Sequence, residues 1–492
     1  MKKTIKFVCF LFFILVASTI ILIACNNKSN PPEAGTPPDS FEQTTLNNTT
    51  PNDTMPEEYP VTYKYVVNDD GTTCTITDCF AYATSNIIID SHIDGYKVTA
   101  IGERAFWFID SISIVIPDTV LKIDKRAFEC CQQLTNVILG EDSQLTEIGY
   151  RAFADCSSLV EITIPDSVEY IGKEAFYNCS GLKKIVLPFV GDSVKTEGDK
   201  NQFPLGHIFG SDTLVGYIEI SQSYNGDDNT RYETGDYRIP STLKTVTITG
   251  GNIVAGAFDN CRNLTSITIP EGATTIGYSA FRGCDGLTNI DIPNSVKYIE
   301  GSAFEDCWNL TSITIPDGVI RIGYRAFYDC ISLMSITIPN SVTAIGHSAF
   351  YSCSQLTSIA IPEGVTIIES DTFYECGNLQ NIVIPNSVTT IESDAFRYCS
   401  RLTSITIPDS VISIGFSVFS HCSSLTSATI GSGLKTLGAM TFYGCNNLAN
   451  ITFKGTTEQW RAISKSYGWA SEIATDRVIC SNGAVALTYK DT

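Results

Sequence analysis

A repeat of 23 residues runs through most of this sequence and constrains its fold more than any other feature. The stretch LTSITIPDGVIRIGYRAFYDC, residues 310–330, recurs with few changes one unit earlier and one unit later. A phenylalanine, usually preceded by alanine, marks thirteen clear units, and Phe209 marks a degenerate fourteenth. A fixed period of this length predicts stacked coils, each covering the apolar surface of its neighbours. The thirteen marking residues are Phe106, Phe128, Phe153, Phe176, Phe258, Phe281, Phe304, Phe327, Phe350, Phe373, Phe396, Phe419 and Phe442.

The first part of each unit has the spacing of a leucine-rich repeat. In Leu310-x-x-Ile313-x-Ile315 the isoleucines alternate with serine and threonine, which predicts a short strand with one buried face. Pro316 lacks a backbone donor and is expected to end that strand. Equivalent strands in successive coils would therefore form a long parallel sheet.

The second part of each unit predicts the return of the chain. Val319 and Ile322 point inward from a second extended piece, and the spacing of Ala326, Phe327 and Cys330 favours a single helical turn. The predicted fold class is a leucine-rich repeat solenoid of about 23-residue coils. It has a parallel β-sheet on one face and short helical turns or extended segments on the other.

Cysteines form a regular ladder in the repeats. Twelve of the eighteen lie three residues after a repeat phenylalanine. Stacking would hold them about 4.8 Å apart with parallel side chains, whereas bridged Cβ atoms converge to about 3.8 Å. A metal needs about four ligands around one point. Buried thiols are therefore favoured over disulfides or a metal site, and no metal is expected. The predicted core ladder includes Phe281, Phe304, Phe327, Phe350, Cys284, Cys307, Cys330 and Cys353. Outside it, Cys74 and Cys79 are candidates for a bridge.

The N-terminus has the pattern of an export signal. Basic residues at Lys2, Lys3 and Lys6 precede an apolar run over residues 7–24. Residues 22–25, Leu-Ile-Ala-Cys, resemble the bacterial lipobox, which predicts a signal peptide at 1–24 and lipid attachment at Cys25. An uncleaved membrane anchor is the alternative.

Residues 25–60 are predicted to be the lipidated cysteine and a disordered tether. From Asn26 to Pro60 there are seven prolines, and six acidic side chains against one lysine. Such a segment has too little apolar surface to offset the loss of chain entropy.

The remaining chain divides into a solenoid and two caps. A strand-rich cap is predicted at 61–100, the solenoid at 101–453, with an irregular inserted region at 189–240 that we expect to project as loops. A C-terminal cap follows at 454–492, in which Trp460, Ile463 and Trp469 suggest a short helix followed by a hairpin.

Composition and motifs argue against several classes of function. With 32 basic and 53 acidic residues, the net charge of −21 disfavours nucleic acid as a partner. The histidines at 92, 207, 347 and 421 are scattered, and no catalytic motif accompanies them. The Asn225–Asn229 stretch NGDDN lacks the spacing of a calcium loop and favours a turn. The chain is therefore predicted not to be an enzyme and to need no cofactor.

The repeat LTSITIPDSVTxIGxxAFxxC, the entry IDGYKVTAIG, the LPFVG insertion and the ending FKGTTEQWRAI resemble the BspA-like leucine-rich repeat proteins of bacterial surfaces. The resemblance covers roughly residues 61–492. It implies a secreted or anchored protein, and several members act in adhesion. The family shares no catalytic residues that could be transferred to this chain.

Two surfaces are candidates for binding an extracellular protein or glycan. One is the concave strand face, whose exposed columns are mostly serine and threonine. The other is an aromatic strip of Tyr328, Tyr351 and Tyr374 with Tyr324 nearby, for which the alternative is a structural role in shielding the turn. The predicted function is adhesin-like binding by a protein held at the cell surface by its lipid. The alternatives are an envelope scaffold and, less favoured, an enzyme that uses the insertion.

Overall fold

The computed structural model describes residues 61–81, 86–193, 203–225 and 232–488. It confirms a leucine-rich repeat solenoid of about 17 turns with about 23 residues per turn and parallel sheets. The turns outnumber the fourteen units marked by phenylalanine because coils at the two ends contain strands without the Ala-Phe pair. The predicted signal peptide, Cys25 and the predicted tether lie outside the described residues.

The first part of the described chain contains two entry strands, then short strands that alternate between two faces of the solenoid. They are β1 (Thr62–Val67), β2 (Thr73–Phe80), β3 (Asn86–Ile88), β4 (His92–Ile93), β5 (Tyr96–Ile101), β6 (Ser113–Ile116), β7 (Lys122–Ile123), β8 (Asn136–Leu139), β9 (Glu147–Ile148), β10 (Glu161–Thr163), β11 (Tyr170–Ile171) and β12 (Lys184–Leu187).

The inserted region contains a 3-10 helix, Leu205–Ile208, and two longer strands. These strands, β13 (Tyr217–Asn225) and β14 (Tyr232–Pro240), form an antiparallel hairpin. The expectation of a loop is therefore wrong for residues 217–240, because facing strands satisfy their backbone groups in pairs. The predicted turn at Asn225–Asn229 lies almost entirely outside the described residues, as do residues 194–202.

The second part of the chain continues the alternation and ends in one short helix. Its elements are β15 (Thr245–Ile248), β16 (Ser266–Thr268), β17 (Thr275–Ile276), β18 (Tyr298–Ile299), β19 (Ser312–Thr314), β20 (Arg321–Ile322), β21 (Ser335–Thr337), β22 (Ala344–Ile345), β23 (Ser358–Ala360), β24 (Ile367–Ile368), β25 (Asn381–Val383), β26 (Thr390–Ile391), β27 (Ser404–Ile407), β28 (Ser413–Ile414), β29 (Ser427–Ile430), β30 (Thr436–Leu437), β31 (Asn450–Phe453), α1 (Thr457–Ala462), β32 (Ser464–Lys465), β33 (Arg477–Cys480) and β34 (Gly483–Ala486).

Two sets of parallel strands run along the coils. One set forms what we call the Ser/Thr face and consists of β3, β6, β8, β10, β12, β15, β16, β19, β21, β23, β25, β27, β29, β31 and β33. The two-residue strands, such as β18 and β20, form the short-strand face. Register follows the repeat: Ser312 pairs with Ser335, and Ile313 pairs with Ile336. Each isoleucine therefore stacks on its equivalent, so the apolar column stays inside.

The repeat phenylalanines form an aromatic column in the core. Phe281, Phe304, Phe327 and Phe350 are fully buried. Successive ring centroids lie 5.2, 5.3 and 5.4 Å apart, and the planes are within 10° of parallel. Phe209 extends the column next to Phe176 at 6.5 Å, tilted by 50°. This column keeps neighbouring coils in register on the turn side of the solenoid.

The ladder cysteines are buried thiols with a hydrogen-bond partner. The Sγ atoms of Cys284, Cys307, Cys330 and Cys353 each donate to the carbonyl of the phenylalanine in the preceding coil, at 3.1–3.2 Å. These four side chains have no exposed surface. Cysteine is thus more than an apolar filler here, because its thiol gives a second hydrogen bond to a turn carbonyl that already accepts from the backbone N–H of the cysteine in its own coil.

We expect the ladder thiols to resist alkylation by iodoacetamide at about pH 8 while the protein is folded. Burial raises the pKa of Cys284, Cys307 and Cys330 above the ordinary thiol value, so little thiolate forms in the native state. The same shifts make stability fall as the pH rises above about 8.5, where only unfolded thiols ionise. Mass spectrometry should show modification of the ladder only in concentrated guanidinium chloride. Equal rates in the folded and unfolded states would contradict this.

The predicted helical turn after each short strand is wrong. Arg325 and Asp329 have positive φ angles of 51° and 53°, which an α-helix does not allow. The N–H of Phe327 donates instead to the carbonyl of Ala349 in the next coil, at 2.8 Å. Hydrogen bonds to the next coil therefore alternate with tight-turn bonds within the coil, such as that from the N–H of Cys330 to the carbonyl of Phe327 at 3.3 Å.

The suggested bridge between Cys74 and Cys79 is also wrong. Both residues lie on β2, and both are free thiols in the structure. Five residues along a strand span about 16 Å, far beyond the reach of a disulfide.

The C-terminal cap contains a helix that is shorter than the tryptophan spacing suggested. Of the three predicted residues only Trp460 lies in α1, which Thr456 and Gln459 cap reciprocally. Ile463 follows the helix. Trp469 is fully buried, and its ring meets Phe442, the last phenylalanine of the aromatic column, edge-on at 6.2 Å. The aromatic column therefore ends against an indole ring. The hairpin after the helix is formed by β33 and β34.

Candidate functional site

The tyrosines predicted to form an aromatic strip are stacked on one another. The ring centroids of Tyr328 and Tyr351 are 4.5 Å apart, as are those of Tyr351 and Tyr374, and both pairs lie within 10° of parallel. All three are half-buried. Since each ring covers a face of the next, the strip offers mainly ring edges and hydroxyls to a ligand. This geometry suits a role in covering the turn, and binding by the strip stays a prediction.

The row of aromatic rings continues beyond these three residues. Tyr398 meets Tyr374 edge-on and stacks on His421, which in turn meets Tyr443. Burial, together with nearby acidic groups, raises the pKa of Tyr328 and Tyr351, so their hydroxyls stay protonated at neutral pH. The row therefore consists of uncharged tyrosine rings and one histidine that pack along the turns of successive coils.

Tyr324 belongs to a second row. Its ring stacks on His347 at 5.2 Å and lies 6.0 Å from Tyr278, two coils away. That reach is possible because Gly301, in the intervening coil, has no side chain, and a Cβ there would lie 2.6 Å from the Tyr324 ring. Tyr324 is 42% exposed, more than the stacked strip.

The Ser/Thr face is regular over most of the solenoid. Ser312 and Thr314 are exposed on either side of the buried Ile313, and other coils repeat this pattern. A column of backbone hydrogen bonds marks the start of each strand, where the residue before the strand donates to its equivalent in the preceding coil. On either side of one interruption the donors are Thr135, Val160, Lys183, Lys244 and Thr265, then Thr311, Met334, Thr357, Gln380, Thr403, Thr426 and Ala449.

This column of hydrogen bonds is interrupted between two coils. Thr265 donates to Lys244, and Thr311 donates to Thr288, each at 2.9 Å. Within the described part of the chain, no backbone hydrogen bond joins Thr288 to Thr265. Residues 289–292 form no strand, so the sheet that ends at β16 resumes only at β19. The Ser/Thr face is therefore open between these two coils.

The opening forms a polar cleft with a volume of about 410 Å³. Exposed hydroxyl, amide and carboxylate groups line its walls, above buried isoleucines. The lining residues are Thr265, Ser266, Ile267, Thr268, Ile269, Glu271, Asn289, Ile290, Asp291, Ile292, Pro293 and Asn294.

The same two coils remain joined elsewhere. Ile276 pairs with Ile299 in the next coil on the short-strand face. In the core, Phe258 and Phe281 stack at 5.4 Å. The cleft is therefore a local opening on one face and leaves the core closed.

Asp291 gives a physical reason for the opening. Its coil reads LTNIDIP where its neighbours read LTSITIP, and the equivalent residues on either side are Thr268 and Thr314. Aspartate disfavours strands, and its carboxylate competes for backbone donors. Asn289 alone would not open the sheet, since Asn136 at the same repeat position pairs with the strands on both sides of it. From the sequence, Asp291 was grouped with the mostly serine and threonine residues of the strand face. Its effect on strand pairing was therefore not predicted, although its charge distinguishes it from Thr268 and Thr314.

The sheets are also interrupted elsewhere. On the Ser/Thr face, β25 and β27 belong to different sheets, although Thr403 still donates to Gln380 at 3.4 Å. On the short-strand face, another interruption makes no site. There β22 ends one sheet and β24 begins the next, so Ala344–Ile345 and Ile367–Ile368 are unpaired across the gap. The cavity at that point measures only about 10 Å³ and is lined mostly by apolar residues such as Ile345 and Val365. An interrupted sheet alone therefore does not make a binding site. The cleft on the Ser/Thr face differs because its volume of about 410 Å³ is large enough to hold a ligand.

Comparison with protein families identifies the repeat. The model of the BspA-type leucine-rich repeat region matches residues 77–199, 251–378 and 366–466, in six copies. The chain belongs to the BspA-type leucine-rich repeat family. Residues of the cleft thus lie within matched BspA-type repeats, and the irregular insertion falls mostly between the matched segments.

Several solved structures are similar to this BspA-type chain. A leucine-rich repeat protein from Bacteroides ovatus is 24% identical, with a TM-score of 0.49 over 85% of this chain and 98% of that one. A leucine-rich cell surface protein from Faecalibacterium prausnitzii is 26% identical, with a TM-score of 0.31 over 82% and 96%. The pneumococcal vaccine antigen PcpA is 18% identical, with a TM-score of 0.28 over 86% and 97%. No curated protein matches the sequence.

The remaining candidate residues do not assemble into a reactive centre. His207 is buried against Phe203 at 4.2 Å, and burial lowers its pKa to about 4. In the ranges that the structure describes, no three His, Cys, Asp or Glu side chains are grouped to hold a metal. Among the same residues, no helix is both long and apolar enough to cross a bilayer.

Proposed function

We propose that this chain is an adhesin-like binding protein of the bacterial cell surface that recognises an extracellular protein or glycan through the Ser/Thr face. Its membership of the BspA-type family supports display at the surface. The signal sequence and Cys25 support attachment to the membrane through lipid.

The observation that carries this proposal is the cleft at residues 265–294. A solenoid sheet normally saturates its backbone groups along its whole length. Here the strand pairing between two coils is missing, and polar groups line about 410 Å³ of open space. Ligand sites are concave and contain a few convergent polar groups, and this surface has both properties.

Lipid attachment has a direct test. Cells that express the full chain with radiolabelled palmitate should incorporate label, and Cys25→Ala should abolish it because no other residue takes the place of the acylated sulfur. Cys25→Ala should also release the protein into the medium or leave it with an uncleaved signal. Label that persists in the variant would contradict lipidation at Cys25.

Binding is tested with the purified full chain in detergent micelles against arrays of matrix proteins, mucins and glycans. We expect at least one class of ligand to be retained, and Asp291→Thr to reduce its retention because the variant restores the LTSITIP-like pattern and closes the cleft. Glu363→Thr is the matched control: it removes one exposed carboxylate at the position equivalent to Glu271, far along the chain. Failure to bind every class, or equal loss in both variants, would overturn the proposal.

A further inference from the structure

We infer that the cleft takes an extended peptide segment of a partner protein, which pairs with the edge of β16 and prefers basic side chains. This inference rests on the proposed function and specifies the ligand of the same site. Three observations support it: unpaired backbone groups on the walls, the charge of the lining and the absence of aromatic rings from that lining.

The first wall is an open strand edge. The N–H of Ser266 donates to Lys244 in the preceding coil, so Ser266 and Thr268 direct their backbone groups toward β15. Alternation along the strand directs the backbone groups of Ile267 and Ile269 toward the cleft. In a closed part of the sheet, the equivalent Ile164 donates to Val186 of the next coil at 2.9 Å. No backbone bond of this kind joins Ile269 to Asp291, although both residues are described, but the paired strands β19 and β21 also lack it between Ile315 and Thr337. Among the described residues, the open edge is instead marked by the missing bond from Thr288 to Thr265 and by the end of the sheet at β16.

The second wall presents the complementary groups. In the register of the other coils, Asn289 and Asp291 would direct their N–H and C=O groups back toward β16. Since residues 289–292, all of them described, are in no strand, Asn289 and Asp291 have no strand partner on β16. An added strand is the ligand that offers donors and acceptors at the same spacing, and exposed sheet edges bind peptides in this way.

The dimensions agree with a short segment. The three residues of β16 extend over about 10 Å. A segment of comparable length fits along that edge, and the pocket volume of about 410 Å³ accommodates its side chains. Its alternate side chains would point into the cleft and toward solvent.

The charge of the cleft selects the side chains of that segment. Glu271 and Asp291 are exposed, and the lining contains no lysine or arginine. The whole chain has a net charge of −21, which also favours approach by a basic partner. Lysine or arginine at alternate positions of the peptide would meet the two carboxylates.

A glycan fits this cleft less well than a peptide does. None of the lining residues is aromatic, so the site lacks the flat apolar surface on which a sugar ring packs. The exposed Tyr324 lies in a different part of its coil, beyond the short strand β20. A glycan at the cleft is therefore an alternative that the experiment must separate.

The experiment measures binding of blocked peptides to the full chain by isothermal titration calorimetry. The probe is the alternating heptapeptide Lys-Thr-Lys-Val-Lys-Thr-Lys, acetylated and amidated at its ends. We expect it to bind, and its counterpart with glutamate in place of lysine to bind at least about tenfold more weakly. Methylation of alternate backbone nitrogens keeps every side chain but removes donors, and should also weaken binding at least about tenfold.

Variants of the chain locate the site. Asp291→Thr should weaken binding of the basic peptide at least about tenfold, whereas Glu363→Thr should change it less than about twofold. Hydrogen exchange should show slower exchange of the Ile267 and Ile269 amides in the complex. Absence of binding, insensitivity to N-methylation, or equal binding by Asp291→Thr would overturn strand addition. If glycans are retained at the cleft while the peptide is not, this inference fails and the proposed function stands.

Discussion

Phe327→Ala is expected to lower the free energy of unfolding by about 3–5 kcal/mol. Phe327 is fully buried, and its ring stacks between Phe304 at 5.3 Å and Phe350 at 5.4 Å. Removing the ring deletes its own burial and leaves a cavity that the two neighbouring coils cannot fill, since their backbones are held by hydrogen bonds on both sides. The loss is therefore shared by three coils.

Phe416→Ala provides the matched control. Phe416 is the same residue type in the same kind of coil, but it lies outside the buried column and is 43% exposed. Its truncation should change stability by less than about 1 kcal/mol. Guanidinium unfolding followed by circular dichroism measures both variants. A similar loss in the two would mean that the phenylalanine column does not hold the coils together.

Periodicity accounts for the features that the sequence predicted well. Apolar residues recur at the positions of Ile313 and Ile315 in successive coils, so the pattern of one coil predicts the inward face of the others, and the structure buries both residues. The phenylalanine and cysteine columns follow from the same reasoning. Each coil shows the same spacing of apolar residues, so one sequence contains many independent examples of the pattern. The fold could therefore be derived from a single sequence.

Features that depend on contacts between coils could not be read in the same way. The spacing of Ala326 and Cys330 fits a helical turn, yet the N–H of Phe327 bonds to the next coil, and only the stack decides between these partners. The hairpin at 217–240 is outside the period, so its strands had no repeat to reveal them. We attribute the cleft to Asp291, whose difference from the repeat is seen only by comparison with Thr268 and Thr314 of the adjacent coils.

The two coils that separate at the cleft are joined on their turn side by a buried ion pair. Arg282 donates from Nε and Nη2 to the carboxylate of Asp259 in the preceding coil, at 2.9 and 2.7 Å. The Asp259 side chain has no exposure, while that of Arg282 is 31% exposed. These residues directly follow Phe258 and Phe281, so the pair links the coils that lack strand pairing at Thr265 and Thr288.

Arg282→Met is therefore expected to cost about 2–4 kcal/mol, because it leaves the Asp259 carboxylate buried without its cation. The double variant Asp259→Leu with Arg282→Met should recover at least half of that loss, since no buried charge remains. Arg321→Met is the control: its partner Glu300 is 25% exposed and Arg321 is 49% exposed, so its loss should stay below about 1 kcal/mol. Equal losses for Arg282→Met and Arg321→Met would mean that burial does not determine how much these ion pairs contribute to the free energy of unfolding.

The shape of the unfolding transition gives the sharper result. In a repeat array, stability is a sum of coil terms and nearest-neighbour interfaces, so cooperativity fails first at the weakest interface. The interface at the cleft already lacks the strand hydrogen bonds of the Ser/Thr face, and Arg282→Met removes its ion pair as well. We expect this variant to unfold in two steps, with hydrogen exchange in residues before Asp259 separating from that in residues after Arg282. A single transition in the variant would show that the phenylalanine column and the short-strand face suffice to couple the two parts.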